Sequence, residues 1–582
     1  MKGGGWVRTL GAQPMILRRI VQLSGSVARC CVAVSLLVGS PALAKKDKGS
    51  GGSAGEKGSD AGDKGKGRDK EKENASRQAE VDALFNGARI PVLTLQIAGP
   101  EMEALRKDAR TYVKCRLVEE GGRTYSDVAV KLKGAAGSFQ PIDDRPAFTL
   151  NVDKFAPDQL FHGLDKLHLN NAVQDETFLH ELLCSELFRK AGVPAPQVTH
   201  ARLKLNDRDM GVYVLKAGFD KAFLKRHFAS AKGNLYDGGF CQEIDGDLDR
   251  DEGKGVDDRS DLKALAEACG LPDEAERIEA IGMRLNVEAF ITFMAMEAMT
   301  GHWDGYCSNR NNYRIYFNPD DGNRAQFLPH GMDQMFGDPN ASILGEPQSL
   351  VGSVVMRHPA WRQKYRERVR ELLPLFEAPT VTKIVEGAYA RLRPVFATMG
   401  EEVVKRQDER TADLIGRLTA RAENLREQSV KPEPEPLAFG EGGVAALEEW
   451  EPKVESGDPA MDRGPLPHGK GEGYSIVAGG EETIASWRVS VLLEAGDYSL
   501  KGRLRTKDVK PIAGDDKVGA GLRISGEGRE NSRVGTGDWA EATYDFTIDG
   551  RRTVELVAEL RGRAGSRVWF DQRSLKLVKK AR

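Results

Sequence analysis

Apolar and polar positions alternate in short segments through the first half of the chain, with the two-residue period of β-strands. The pattern is clearest in residues 90–97, 124–133, 147–152, 200–205 and 210–215. The last two segments flank a polar turn and predict a hairpin. Residues 175–191 instead have helical spacing and end at Gly192 and Pro194, so the pattern predicts an α+β fold.

Helical spacing dominates the middle of the chain. Residues 101–107 predict a short helix, residues 284–300 a longer one closed by Gly301, and residues 359–428 a helical tail. The run Lys431-Pro-Glu-Pro-Glu-Pro436 predicts a stiff extended linker over 431–440. We therefore assign residues 80–430 to one domain and residues 441–582 to another.

The C-terminal domain has only strand-like segments, which are separated by Gly and Asp turns. They cover residues 484–493, 496–505, 518–524, 540–548 and 552–560. This spacing predicts an all-β sandwich of jelly-roll type. Trp487, Trp539 and Trp569 form either a sugar-stacking platform or part of the sandwich core, and the core is the favoured interpretation.

The N-terminus has the pattern of an export signal. Residues 1–44 contain five basic residues and no acid, and end in an uncharged stretch that closes with Pro41-Ala-Leu-Ala44. This predicts a signal peptide cleaved after Ala44, with a membrane anchor as the alternative. Residues 45–79 consist mainly of charged and small residues, which predicts a disordered tether.

Charge and length exclude several classes of protein. The 582 residues contain 85 Lys and Arg against 87 Asp and Glu, a net charge of −2, which gives no support for nucleic-acid binding. Without residues 1–44 the balance is 80 basic against 87 acidic residues, so the exported protein would be acidic. No stretch is long and apolar enough to predict a transmembrane helix, and neither a Walker loop nor a Gly-x-Ser-x-Gly motif occurs.

The candidate chemistry is concentrated just after Gly301. Asp304 follows the predicted helix, Asn309 lies five residues later, and Asp333 lies beyond a predicted hairpin. Two carboxylates and an amide in this order are the parts of a phosphoryl-transfer site, in which one acid orients the nucleophile and the other binds a divalent ion. The spacing alone is a weak signal, because Asp and Asn are common in turns.

Several segments resemble the spore-coat protein H (CotH) kinase-like family. They are, in family order, Leu169-Asn-Asn-Ala-Val-Gln-Asp175, Gly211-Val-Tyr-Val-Leu215, Phe223-Leu-Lys-Arg-His-Phe228, Gly301-His-Trp-Asp-Gly-Tyr306, Asn309-Arg-Asn-Asn-Tyr-Arg-Ile-Tyr316 and Phe327-Leu-Pro-His-Gly-Met-Asp-Gln334. The resemblance covers about residues 90–428. It implies an atypical protein-kinase-like fold that binds ATP with Mg²⁺ or Mn²⁺ and phosphorylates Ser or Thr of secreted or envelope proteins.

The resemblance also implies roles for individual residues. Asp304 would be the catalytic Asp and Asp333 the metal-binding Asp, with Asn309 and Asn312 as competing amide ligands. Arg145 stands where family members usually have a phosphate-facing Lys. In the loop before it, Gly134 and Gly137 would let backbone amides approach phosphate, with Lys133 beside them.

Two departures from the family pattern leave a non-catalytic alternative open. Lys216 stands where the family commonly has Glu, and Gly331-Met-Asp333 replaces a frequent Asp-x-Asp. If these acids are needed, the chain is a weak enzyme or a pseudokinase scaffold in coat or envelope assembly. A third hypothesis makes the sandwich a carbohydrate-binding module of an envelope protein.

Other candidate sites are weaker. Asp245, Asp247, Asp249 and Asp251 alternate, but the Gly and Glu that an EF-hand loop requires are absent, so a solvated acidic loop is favoured, with binding of a basic peptide substrate as a further possibility. His302 and His330 flank the two acids without zinc spacing, which favours an orienting or packing role. Cys241 and Cys269 can form a disulfide in an exported chain, although the sequence does not establish it.

Overall fold

The computed structural model describes residues 63–467, 471–480, 482–512 and 519–580. The predicted signal peptide, residues 1–44, and the first part of the predicted tether lie outside these ranges. Residues 71–582 form one compact unit, which contains the fold described below. No helix in the described ranges has the length and apolar character that crossing a membrane requires.

Helix α1 (Asp63–Asn86) corrects the tether prediction, which extended disorder to residue 79. The sequence from 70 onward is rich in Lys, Glu, Gln, Arg and Ala, all good helix formers. Its last turns place Val81, Leu84 and Phe85 on one side, and all three are buried in the core of the first β-domain. This packing stabilises a helix whose composition resembles a linker.

Seven strands follow α1 and close into a barrel. Their bounds, with helix α2 (Gly99–Lys107) between the first two, are β1 (Val92–Gln96), β2 (Val113–Glu119), β3 (Thr124–Lys133), β4 (Ala147–Asn151), β5 (Lys166–Asn170), β6 (Val198–Leu205) and β7 (Arg208–Ala217). The order around the barrel is β1-β2-β3-β4-β5-β7-β6. All neighbours are antiparallel except β1 and β6, which are parallel and close the barrel. The strands predicted at 124–133 and 147–152 are confirmed as β3 and β4.

One outward row of the barrel carries polar side chains. Lys131 pairs with Thr149, Thr149 with His168, and His168 with Lys216 across β3, β4, β5 and β7. Their neighbours along each strand, such as Leu132, lie in the barrel core, so alternation points the polar row outward. This row lies against the helical half of the domain.

The helical half contains ten further helices and a small sheet. The helices are α3 (His180–Lys190), α4 (Lys221–His227), α5 (Ser260–Cys269), α6 (Glu274–Arg284), α7 (Val287–Thr300), α8 (Tyr306–Asn309), α9 (Leu350–Arg357), α10 (Pro359–Leu372), α11 (Ala378–Ala397) and α12 (Glu401–Val430). The sheet has the order β11-β10-β8-β9, with β8 (Leu235–Asp237), β9 (Arg250–Glu252), β10 (Tyr313–Asn318) and β11 (Arg324–Pro329). Helix α7 is apolar on nearly all sides and runs through the core, so its C-terminal end delivers the following loop to a fixed place.

The C-terminal domain is a β-sandwich that follows residues 431–440, which have neither helix nor strand. One sheet contains β12 (Val444–Ala446), β22 (Lys576–Lys579), β17 (Gly496–Val509), β21 (Arg567–Asp571), β15 (Glu472–Val477) and β14 (Ala460–Pro465), with β19 (Gly535–Ile548) also paired to β17. The other has the order β13 (Glu451–Ser456), β16 (Thr483–Leu493), β20 (Arg552–Gly562) and β18 (Gly519–Ile524). Residues from both sheets form one core, as the sequence predicted, whereas the jelly-roll and kinase-like assignments stay predictions.

The five described cysteines form no disulfide with one another. Cys269 is buried and Cys241 half-buried. The disulfide that the sequence allowed between them is therefore absent. Cys30 and Cys31 lie outside the described residues.

Candidate functional site

Asp304 lies in the loop between α7 and α8, after Gly301 ends α7 in the left-handed conformation (φ 70°). Asn309 Nδ2 donates to its Oδ1 at 2.6 Å, and the Nδ2 groups of Asn311 and Asn312 donate to its Oδ2 at 3.0 and 2.8 Å. Because all three partners are N–H donors, the carboxylate is held in one orientation as an acceptor. The three bonds fix the orientation of the side chain within its own loop.

The three amides converge on Asp304 because the backbone turns sharply twice. Arg310 and Asn312 have positive φ angles of 53° and 51°, a conformation that Asn tolerates better than most residues. The sequence predicted Asn309 and Asn312 as functional residues and missed Asn311, which is buried. The occurrence of three Asn within residues 309–312 was the feature of the sequence that could have indicated Asn311.

Asp333 reaches the same region through the hairpin β10–β11. Tyr313 pairs with Pro329, and the His330 N–H extends the ladder by donating to the Asn312 carbonyl at 2.9 Å. At Gly331 a Cβ would lie 2.2 Å from Asn312 Oδ1, so the glycine lets the Asn312 amide pack on the backbone two residues before Asp333. The hairpin thus brings Asn312 and the Asp333 loop together.

The carboxylate of Asp333 is held very differently from that of Asp304. Within the described residues no Lys or Arg forms a salt bridge with it. Burial, and next the negative charge of Glu181, raise its pKa to about 6, with Asp175 adding to the effect. A half-buried carboxylate beside other acids favours a bound cation or a proton.

Lys216 and Glu181 form a fully buried ion pair between the barrel and α3. Lys216 Nζ donates to Glu181 Oε2 at 2.8 Å, and the two side chains are 0% and 2% exposed. Glu181 Oε1 accepts the backbone N–H of Met332 at 3.2 Å. One carboxylate therefore joins a barrel lysine to the loop that carries Asp333.

From the sequence, Lys216 was interpreted as a departure from the family pattern. Glu181 was not predicted as a site residue. The structure gives Lys216 its acid from α3 instead, and Asp175 fixes the start of that helix by accepting the His180 N–H at 2.9 Å. Pairing of residues 35 positions apart depends on the strand register of the barrel, which the sequence pattern does not reveal. The helical pattern of 175–191 was the only hint that Glu181 lies in a buried first turn.

Two histidines support this region. His330 Nδ1 lies 3.2 Å from Lys216 Nζ and accepts from it, because an ammonium can only donate. Burial and then the charge of Lys216 hold the pKa of His330 well below its usual value, so the ring is neutral. His180 Nδ1 donates to the Asp333 carbonyl at 2.9 Å, which orients the loop from the side of α3.

Lys133 and the loop after it lie at the end of β3. Lys133 Nζ donates to Asn170 Oδ1 at 2.7 Å, and burial followed by the charge of Lys216 lowers its pKa to about 8. Gly134 and Gly137 have positive φ angles of 105° and 82°. The N–H groups of Ser138 and Phe139 donate to the Ala135 carbonyl, so part of this predicted phosphate loop is bonded internally.

Residues 130–411 match the family described as CotH kinase protein. They form a CotH kinase family domain. The matched region contains every residue of the site described above. The match begins within β3 and ends within α12, so the CotH kinase domain as folded is larger than the matched region.

Relatives of the chain are spore coat proteins and invasins. Spore coat protein homolog 1 of Rhizopus delemar is 28% identical over 176 residues, which is 28% of this chain and 29% of the relative. Invasin CotH7 of the same organism is 27% identical over 176 residues, 28% of this chain and 30% of the relative. Inner spore coat protein H of Bacillus subtilis is 20% identical over 341 residues, 53% of this chain and 89% of the relative. The chain thus spans about three-tenths of the length of the two Rhizopus proteins.

Two solved carbohydrate-binding structures are similar to about a quarter of the chain. TmCBM61, solved in complex with beta-1,4-galactotriose, has a TM-score of 0.18 and 16% identity, and covers 25% of this chain and 100% of that one. The CBM22-1 xylan-binding domain of Paenibacillus barcinonensis Xyn10C has a TM-score of 0.15 and 14% identity, and covers 25% of this chain and 92% of that one. These scores say nothing about the ligand of the present chain.

Arg145 of the CotH kinase domain does not join the site. Its guanidinium donates to the carbonyls of Asn171, Met210 and Val212 at 2.9, 2.7 and 2.7 Å, and it lies over the ring of Tyr213. These bonds tie three chain segments together, which is a structural role. The predicted phosphate contact of Arg145 is therefore not supported, and Lys133 and Lys216 are the cations near Asp333.

The donor atoms of the CotH kinase domain fit a hard divalent cation. Asp333 offers a carboxylate that forms no salt bridge in the described residues, and Asn309 and Asn312 direct their N–H groups to Asp304, which leaves their oxygens available. The described ranges contain no group of three or more His, Cys, Asp or Glu arranged around a metal position. Mg²⁺ commonly uses one or two protein carboxylates and completes its shell with water and substrate phosphates, so this set suits it.

The other sequence candidates have local partners. Asp251 pairs with Arg314, and Asp247 with Arg259 at 2.9 Å. His302 is 2% exposed and packs near Glu297, which agrees with the expected packing role. Neither the acidic loop nor the histidines therefore form a separate metal site within the described residues.

The three tryptophans of the sandwich do not share one surface. Trp487 is 5% exposed, packs on Tyr474 in the core and donates its Nε1–H to the Ser475 carbonyl at 3.2 Å. Trp569 alternates with the buried Val568 and Phe570 and points outward, opposite Arg505 of β17. Trp539 lies on the other side of Arg505, on β19. Trp487 is therefore a core residue, the favoured interpretation, and a platform formed by Trp539 and Trp569 stays a prediction.

Proposed function

We propose that this protein is an exported phosphotransferase that transfers the γ-phosphate of ATP to Ser or Thr hydroxyls of secreted or envelope proteins, with Mg²⁺ or Mn²⁺. Membership of residues 130–411 in the CotH kinase family supports this assignment. The observation that carries it is the buried Lys216–Glu181 pair, which bonds the backbone of the Asp333 loop. A lysine held in place by a helix acid beside a metal-binding acid is the arrangement that protein kinases use.

Asp304 orients the acceptor hydroxyl in this proposal and accepts its proton. Three amides hold the carboxylate, so its free lone pairs point in a fixed direction. Orientation of a reacting group before the reaction removes an entropic part of the barrier. General base assistance of this kind contributes about 10²–10⁴-fold to rate.

Asp333 and the amide oxygens of Asn309 and Asn312 would hold the divalent ion. When bound, the ion supplies charge neutralisation for the phosphates and fixes their orientation. Lys216 binds a phosphate oxygen with the one N–H of its ammonium group that Glu181 and His330 leave free. Lys133, the last residue of β3, adds a second positive charge near the phosphates.

Phosphate transfer from labelled ATP to a Ser/Thr peptide library tests the proposal, with protein lacking residues 1–44 and with Mn²⁺ or Mg²⁺ present. We expect Asp304→Ala and Asp333→Ala each to lower the rate at least about 100-fold. Asp320→Ala is the matched control, because Asp320 lies in the exposed turn between β10 and β11. Wild-type activity in either variant of the two key acids would refute the assignment. An inactive wild type would favour the non-catalytic scaffold.

A second candidate function, binding of an envelope carbohydrate, is favoured by the pair Trp539 and Trp569. Trp569 lies opposite Arg505 of β17, and Trp539 lies on β19, the strand on the other side of β17. An indole next to a charged hydrogen-bond donor suits a sugar ring. Affinity electrophoresis in gels that contain cell-wall polysaccharide tests it. We expect retardation that Trp539→Ala and Trp569→Ala each reduce. Mobility unaffected by the polysaccharide would refute the function.

Location outside the cytoplasm is part of the same proposal. The basic and then apolar pattern of residues 1–44 supports export, and two relatives carry spore coat names. Amino-terminal sequencing of the protein recovered from its host tests this. A chain that begins at Lys45 is expected, and an intact Met1 would contradict export.

A further inference from the structure

Glu297 is a buried carboxylate in the last turn of α7, 2% exposed, whose bonds all reach the loop that contains Asp304. Its Oε1 accepts the Tyr306 N–H and its Oε2 the Cys307 N–H, each at 2.9 Å. Its backbone carbonyl accepts the His302 N–H at 2.8 Å. One residue therefore holds the chain on both sides of Asp304.

The loop is built to let this carboxylate approach closely. A Cβ at Gly305 would lie 2.4 Å from Glu297 Oε1 and 2.8 Å from His302 Nδ1. The φ angle of Gly305 is −84°, which any residue can adopt, so space and not backbone conformation requires glycine here. Gly305 directly follows Asp304 in the chain.

Helix α8 connects the hydrogen bonds of Glu297 to the Asp304 side chain. Tyr306 and Cys307 begin this four-residue helix, and Asn309 ends it. The Asn309 N–H donates to the Gly305 carbonyl at 2.9 Å, while its side chain donates to Asp304 Oδ1 at 2.6 Å. A shift of the helix start would move Asn309, and with it the orientation of Asp304.

Among the residues that the structure describes, no buried cation compensates the charge of Glu297. The groups that face it are His302, with Nδ1 3.6 Å from Oε1, and Tyr306 and Cys307 of α8. Burial raises the pKa of Glu297 to about 7 and lowers that of His302 to about 3, so the imidazole is neutral. A buried acid without a cation costs stability, which a neutral side chain of the same shape would not. A group with this cost suits a role in holding the loop rather than in stabilising the fold.

We propose that Glu297 is the positioning residue of the catalytic loop, which it holds through the Tyr306 and Cys307 N–H groups so that Asp304 meets the acceptor hydroxyl. This inference rests on the proposed phosphotransferase function. Glu297 touches neither substrate nor metal and acts through the loop. The sequence offered no signal for it, since it lies among the apolar residues of α7.

The experiment compares Glu297→Gln and Gly305→Ala with the wild type and with Glu288→Gln, an exposed acid of the same helix. Glutamine keeps the shape but replaces one acceptor by a donor that opposes a backbone N–H. The alanine displaces the carboxylate without removing it. Hydrogen exchange by mass spectrometry measures protection of residues 302–313, and steady-state kinetics measures kcat and the KM for ATP.

We expect both variants to raise exchange in residues 302–313 at least threefold and to lower kcat about 10- to 100-fold, the scale of losing one preorganised contact. The KM for ATP should stay within twofold, and the Tm of Glu297→Gln should stay close to that of the wild type, because removal of the buried charge offsets the lost acceptor. Glu288→Gln should match the wild type in exchange and kcat.

Unchanged exchange in residues 302–313, or faster exchange with normal kcat, would overturn the positioning role. A lower Tm of Glu297→Gln with exchange increased throughout the domain would overturn it too, since that is a general structural role. If the wild type transfers no phosphate, the proposed function fails by itself. The exchange result then decides alone whether Glu297 holds the loop.

Discussion

The two acids of the candidate site are held in opposite ways. Asp304 accepts three side-chain amides and is oriented by its own loop. Asp333 lies at the end of a hairpin, its pKa raised to about 6, with its backbone held by His180 and its carboxylate without a salt bridge in the described residues. The difference teaches that one acid is fixed in orientation by hydrogen bonds, whereas the other keeps an uncompensated charge, as the proposed binding of a metal with ATP requires.

The largest expected effect separates the two acids by their response to metal. We expect Asp304→Asn and Asp333→Asn each to lower phosphate transfer by about 10³-fold. We expect Mn²⁺ with ATP to raise the Tm of the wild type and of Asp304→Asn, but not that of Asp333→Asn. Thermal unfolding with and without Mn²⁺-ATP checks this. Equal metal responses in the two variants would remove the contrast between the acids.

The second prediction concerns the buried pair that bonds the Asp333 loop. Glu181→Gln should destabilise the fold by about 3–5 kcal/mol, because it leaves the fully buried Lys216 without its anion. The double variant Glu181→Gln with Lys216→Met should recover part of this loss, since it removes the stranded charge. Urea unfolding of the single and double variants measures both. A double variant no more stable than Glu181→Gln would show that the pair does not act as a unit.

The third prediction uses pH without metal. Asp333 has a folded pKa of about 6, above its ordinary value of 3.8, so the protonated form is favoured in the fold. Stability that is complete below about pH 4 is therefore lost as the pH rises through 6. Asp333→Asn should match the wild type near pH 4 and be more stable at pH 7, by on the order of 1–3 kcal/mol. Glu297 titrates in both proteins, so their difference isolates Asp333.

The smallest expected effect concerns the amide hydrogen bonds that orient Asp304. Asn311→Ala removes one of the three amide donors of Asp304. We expect the lost hydrogen bond to raise the activation free energy by about 1 kcal/mol, which is roughly a fivefold loss in kcat. The KM for ATP should not change. Steady-state kinetics of this variant beside Arg310→Ala, an exposed neighbour, provides the measurement. A change in KM alone would place Asn311 in nucleotide binding instead.

The sequence predicted those parts of the site that are close together in the chain. Asp304, Asn309 and Asn312 lie within nine residues, and a hairpin with a Pro-Asp-Asp-Gly turn carries the Asp333 loop back to Asn312. Strands such as β3 were predicted because apolar and polar residues largely alternate along them. Local pattern was sufficient for these features.

The missed features depend on contacts between distant segments. Glu181 and Lys216 meet only because the barrel register places Lys216 over the start of α3. The sequence motif predicted that Arg145 binds phosphate. In the structure its guanidinium donates to three backbone carbonyls, which only the tertiary packing brings together. Helix α1 was not predicted because its charged composition is typical of a disordered linker. Burial of Val81, Leu84 and Phe85 in the barrel core stabilises it.

Closure of the barrel by β1 and β6 has a practical consequence for anyone who shortens the chain. The family match begins at residue 130, within β3, so a fragment cut at that boundary would lack β1 and β2. Both β3 and β6 would then expose an unpaired strand edge, a template for association with other chains. Such a fragment should aggregate on expression, whereas one that starts ahead of Val81 should stay monomeric.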